Sequence, residues 1–201
     1  MNNGRDISED RTWLLVFCCL VIVVTTLPYF IGFESQGEDW RFTGFIFGVE
    51  DGNSYLGKML RGGRGEWLFR TPYSTSEQTG VIAFLPYLLL GKLSAPPAQH
   101  LQLVVIFHIF RAAGIVVFLF ASYEFACLWI SKRYLRRWAV ILMALGGGSG
   151  WIPLLSGTHT WLGWLPLEYY SPESFGFLAL YGLPHLAFSR GLLLKGFSIL
   201  L

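Results

Sequence analysis

The sequence predicts an all-α protein embedded in a membrane, and three observations carry that reading. Of its 201 residues, 53% are hydrophobic and only 14% charged, against roughly 25% charged in soluble domains. The charge deficit is concentrated: 13–33 holds no charged residue, and 101–130 holds only Arg111 and Glu124. The apolar runs reach the ~20 residues a helix needs to cross a bilayer. A formal net charge of +2 gives no footprint for a nucleic-acid partner. Cys18, Cys19 and Cys127 all fall inside apolar runs, where a thiol is a small hydrophobe rather than part of a disulfide framework or metal set.

Taken in order, 1–12 is a polar tail and 13–33 a first membrane span. Trp13 stands at one interface and Pro28-Tyr29 near the other. The apolar core is too long for a cleaved signal peptide. Residues 34–100 form a long outer loop. Within it, 53–61 has helix-like apolar spacing at Tyr55, Leu56, Met59 and Leu60, the pattern of a surface helix. Gly62-Gly63 would end that helix. The run 81–90 is short and contains Pro86, so it is expected to re-enter rather than cross.

The next apolar run, 101–130, is the second span. It leads into 131–137, which holds Lys132, Arg133, Arg136 and Arg137. Such a basic turn belongs on the cytoplasmic side, which puts the N-terminus there too if 81–94 only dips into the membrane. From Arg111 to Lys132 a helix rises about 31 Å, so Arg111 is expected at the outer interface. Glu124 then lies within the membrane and needs a partner. The third span is drawn over 138–155, with the glycine string from Gly146 to Gly150 giving close packing or an irregular outer end. That string lacks the Lys-Ser/Thr of a phosphate-binding loop. A second outer loop, 156–173, precedes a fourth span region over 174–201. There, either a span ends near Arg190 or a surface helix precedes a span starting near His185. The apolar end of the chain reads as a single membrane domain that is incomplete.

This topology gathers carboxylates on the extracytoplasmic face: Glu50-Asp51 in the first outer loop, and Glu168 and Glu173 in the second, with His159 nearby. A carboxylate serves as a general base or as an oxygen ligand for a divalent cation, and Arg111 on the same face suits a phosphate. Each has a plainer alternative. Loop carboxylates are commonly just solvated, an interfacial arginine snorkels or pairs, and His185 after Pro184 suits a helix start. The four histidines have no zinc-ligand spacing, and no nucleophile-elbow pattern is present.

The order of these features resembles the N-terminal third of the GT-C superfamily, membrane glycosyltransferases that use polyprenyl-phosphate sugars. The resemblance rests on Glu50-Asp51 with Tyr55, the helix from Leu56 to Arg61, and the aromatic stretch Trp67-Leu68-Phe69-Arg70-Thr71-Pro72-Tyr73. The short run 81–90, the basic turn Lys132 to Arg137, and Ser171-Pro172-Glu173-Ser174-Phe175 with Pro184-His185 complete it. It spans most of 13–190 and implies sugar transfer from the lipid-linked donor to an acceptor at the outer face of the plasma (bacterial inner) membrane. By that resemblance Asp51 is the acceptor-activating base or metal-positioning acid for Mg or Mn, and Glu50 its possible substitute. Arg111, Tyr55, Glu173 and His185 become substrate contacts. Family members have eight or more spans, so a partner subunit or further sequence would complete the donor groove. The rival expectation is a non-enzymatic multi-pass membrane protein, a transporter fragment or assembly partner.

Overall fold

The computed structural model describes residues 3–97, 99–160 and 163–201. Two residues of the expected N-terminal tail and short pieces of the two expected outer loops lie outside these. Among the described residues the regular elements are helices, with one isolated antiparallel bridge between Phe69 and Val81 and turns or irregular backbone elsewhere. The helices are α1 (Asn3–Glu34), α2 (Val49–Gly63), α3 (Leu85–Gly91), α4 (Gln99–Trp129), α5 (Arg133–Leu145), α6 (Trp151–Leu155), α7 (Gly176–Gly182) and α8 (Pro184–Leu200). Two of them, α1 over Asp10–Glu34 and α4, are long and apolar enough to cross a membrane. The chain divides into two compact units, one made of 1–27 with 111–201 and the other of 28–110.

In the first unit, α1 turns Leu14, Phe17, Cys18 and Val21 inward, the i, i+3, i+4, i+7 stripe of one helical face. They pack on Ile115, Leu119 and Tyr123 of α4, Val140 and Ala144 of α5, Leu180 of α7 and Ala187 of α8. The opposite face of α1 exposes Val16, Leu20, Val23 and Leu27. A contiguous apolar face of this kind is costly in water and natural against lipid. Helix α8 lies close against α4. A Cβ on Gly114 would meet Ala187 and the Pro184 carbonyl, and one on Gly191 would meet the Phe118 backbone at 3.1 Å. Small residues are what allow two helices this approach.

One expectation changes here. The span drawn over 138–155 is not one helix. Helix α5 starts at Arg133 and stops at Leu145, 13 residues or about 20 Å, where Gly146 turns to an extended ψ of 93°, and Gly148, with a left-handed φ of 85°, keeps the chain non-helical before the single turn of α6. Glycine favours that conformation, and its backbone freedom penalises a helix interior. The region 174–201 is also divided. Leu183 adopts φ −124°, ψ 71° ahead of Pro184, the extended bias a proline imposes on its predecessor. Pro184 then opens α8 at a position needing no N–H. Helix α8 therefore begins beside His185 and continues past Arg190 to Leu200.

The second unit has its own core of Phe45, Leu56, Met59, Tyr87, Leu103, Val104 and Phe107. Helix α2 begins at Val49, four residues before the apolar periodicity, so Glu50 and Asp51 stand in its first turn rather than in a loop. Negative charge is favoured there by the helix dipole. Pro86 initiates α3 instead of interrupting it. At seven residues, about 10 Å, α3 reaches a third of the hydrocarbon thickness.

Candidate functional site

On α2, Asp51, Tyr55 and Lys58 are spaced i, i+4, i+7, which aligns them along one helical face. Asp51 is exposed at the helix start, Tyr55 is half-buried and Lys58 is buried. The Lys58 ammonium donates to Ser54 Oγ at 2.8 Å. It stands 4.7 Å from the Tyr55 ring centroid and 4.3 Å from that of Phe84, a desolvated cation–π arrangement. The Tyr55 ring stacks on Tyr87 at 4.7 Å, and Phe107 continues the stack behind both.

Phe84, which closes the cage, has φ 51°. A left-handed phenylalanine costs about 1–2 kcal/mol, and the Phe69 ring packed edge-on at 4.8 Å helps to hold it there. Burial lowers the Lys58 ammonium below its ordinary range, and the charge of Asp51 opposes that shift. Burial, reinforced by Asp51, pushes the Tyr55 phenol up to about 12. Near neutrality Tyr55 therefore keeps its proton and is a hydrogen-bond donor, on a face where Asp51 is exposed and the Lys58 amine lies beneath aromatic rings.

The sign of the Tyr55 shift yields a direct test. The folded chain holds this proton more tightly than the unfolded chain, whose tyrosines lose theirs near 10. The contribution of Tyr55 is complete below pH 10 and declines as pH rises toward 12. In an alkaline titration followed at 295 nm, the difference between wild type and Tyr55→Phe is expected to show one phenol ionising near 12. A difference curve centred at 10 would remove the burial assigned to this ring.

The other residues singled out by the sequence belong to the first unit. Arg111 is 1% exposed. Its guanidinium donates at 2.7 Å to the hydroxyls of both Thr25 and Thr26, so it joins α4 to α1 instead of standing at an open interface. Glu173 is exposed, accepts from Ser171 Oγ at 3.0 Å, and offers its backbone carbonyl to Arg190. His185 is half-buried in the first turn of α8. Glu124 forms an ion pair with Lys195 of α8. The structure thus brings Glu50, Asp51 and Tyr55 together on one helix. It gives Arg111 and Glu173 partners of their own within the first unit.

Two polar groups, Lys58 and Asp10, escaped the sequence reading, and a third, Glu168, was read there only as an outer-loop carboxylate. Lys58 was legible as the residue seven beyond Asp51. Asp10, by contrast, looked like one more charge in a polar tail, yet it is buried and receives Tyr123, Arg133 and Arg137. Glu168 is also buried, with its carboxylate accepting the Gly150 N–H. A Cβ on Gly148 or Gly150 would collide with that carboxylate, which explains the glycines at those two positions. No group of three or more potential metal ligands occurs among the described residues. No protein-family model, curated protein or solved structure matches the chain, so the α2 face stands on its own geometry.

Proposed function

We propose that this chain is a membrane glycosyltransferase of the GT-C type, moving a sugar from a polyprenyl-phosphate donor to an acceptor at the extracytoplasmic face. The observation that carries the reading is the α2 face, where an exposed Asp51 stands one and two turns from Tyr55 and Lys58. In the topology that goes with it, α1 and α4 span, the α5 and α7–α8 regions complete a four-span domain, and the basic turn 131–137 is cytoplasmic. The enzyme then sits in the plasma (bacterial inner) membrane with its N-terminus inside.

In this mechanism the Asp51 carboxylate takes the proton of an acceptor hydroxyl. The hydroxyl oxygen forms a bond to the anomeric carbon as the bond from that carbon to the phosphate oxygen breaks, and the electron pair leaves with the lipid phosphate. The Lys58 ammonium offsets charge that grows on the departing phosphate, and the Tyr55 phenol donates a hydrogen bond to the bound sugar or acceptor. A divalent cation, Mg or Mn, fits this donor set only when held jointly by Asp51, substrate oxygens and water; it would neutralise phosphate charge. Glu50 is the neighbouring carboxylate.

The test is transfer of labelled sugar from a polyprenyl-phosphate donor in membranes. Asp51→Asn is expected to lose at least about a hundredfold in rate, the scale of a lost general base, while keeping wild-type elution in detergent. Unchanged transfer by Asp51→Asn would show that the assignment is wrong.

A second reading, a non-enzymatic multi-pass membrane protein, is favoured by one set of contacts. Asp10, Arg111, Glu124 and Lys195 are all used in joining helices within the first unit. Wild-type membranes inert toward every lipid-linked sugar would support this alternative.

A further inference from the structure

The opposite side of α2 carries a feature that sugar transfer does not use. A cleft of about 440 Å³ opens between α2 and the first turns of α4, wholly inside the second unit. Leu60 and Leu103 line it with apolar surface, and Asn53, Arg64, Gln99 and His100 add polar groups. We propose that this cleft binds the phosphate head group of an anionic glycerophospholipid.

Charge is the first argument. Arg61, three residues before Arg64, is engaged by Glu66 at 2.9 Å. Arg64 has no carboxylate partner among the described residues and is exposed at the cleft. No carboxylate lines the cleft; the nearest in sequence are Asp51, two residues before Asn53, and Glu66, two residues after Arg64, which pairs with Arg61 and Arg70. Arginine's planar fork suits a phosphate. His100, Gln99 and Asn53 each offer an N–H, and the first-turn backbone of the 31-residue α4 adds its positive end.

Depth is the second argument. The exposed apolar stripe Leu101, Val105 and Ile109 begins one residue beyond His100 on the same helix. Where α4 crosses a bilayer, that transition puts the cleft at head-group level and gives acyl chains an adjacent apolar surface. A soluble phosphate would have no use for the stripe.

The inference is independent of the transferase reading and of Asp51. The full chain, purified from detergent containing equal phosphatidylglycerol and phosphatidylcholine, is examined by native mass spectrometry. Wild type is expected to retain phosphatidylglycerol about tenfold over phosphatidylcholine, the worth of one charge-assisted contact. Arg64→Gln should bring the two lipids to parity, and Arg64→Lys should restore part of the preference. Equal retention by wild type, or a preference unchanged in Arg64→Gln, overturns the proposal. Displacement of phosphatidylglycerol by inorganic phosphate alone overturns the lipid assignment.

Discussion

Replacing Asp10 with alanine is expected to destabilise the protein by about 2–4 kcal/mol, a scale set by breaking a buried charge pair and stranding its hydrogen-bond partners. Asp10 is 1% exposed and accepts from Arg133 Nε at 2.7 Å, from Arg137 Nε at 3.0 Å and from the Tyr123 hydroxyl. These contacts join α1, α4 and α5. The two arginines reach water, at 48% and 33% side-chain exposure, so they can resolvate once the carboxylate is gone. That places the loss below the top of the range for a fully enclosed pair. Tyr123 is fully buried and cannot recover its partner. Asp10→Asn keeps an acceptor for Tyr123 and should cost less than alanine. Thermal denaturation in detergent measures both variants, and an alanine variant melting with wild type would show that the cluster contributes nothing net.

Gly91→Ala is expected to be as damaging, for a reason of shape alone. A Cβ there would lie 1.7 Å from the Met59 carbonyl oxygen, and one on Gly62 would lie 1.8 Å from that of Leu88. The α2 and α3 backbones touch at these two reciprocal points, and a backbone carbonyl cannot swing aside as a long side chain does. The helices must separate, at about 3 kcal/mol or more for overpacking of this severity. Separation would also loosen the Tyr55–Tyr87 stack and the Lys58–Phe84 contact. The Tyr55 phenol should then ionise closer to 10. Gly57 is the control, since nothing lies within 4 Å of a Cβ at that position and alanine there is expected to gain up to about 1 kcal/mol. Equal melting temperatures for Gly57→Ala and Gly91→Ala would refute the contact.

Legibility in the sequence followed the range of the physics involved. Helices α1 and α4 were readable because a run of apolar side chains is a local property, and bilayer thickness sets the length such a run needs. Helix α2 was readable in its body, where apolar residues recur with helical spacing. Its start was misplaced because Gly48 takes a left-handed φ of 59°, which lets the chain enter the helix four residues ahead of the stretch with apolar periodicity. Pro86 and Pro184 showed the reverse problem. A proline reads as a breaker or a starter depending on which side the helix lies, and packing against Gly62 and Gly114 settles that side in this chain.

The candidate site divides along the same line. Asp51, Tyr55 and Lys58 share a face because they share a helix, so helical periodicity alone aligned them. Their chemistry depended on contacts distant in sequence: Phe84, 26 positions beyond Lys58, closes the cage, and Tyr87 and Phe107 bury the phenol. Arg111 is the sharpest contrast. A count of residues to the basic turn placed it at an interface, ready for a phosphate. Thr25 and Thr26, some 85 positions earlier, bury it instead. Composition and periodicity determine that this chain makes apolar helices, and roughly where. The partners of its charges are a matter of packing, because a desolvated charge must find whatever donor or acceptor the neighbouring helix presents.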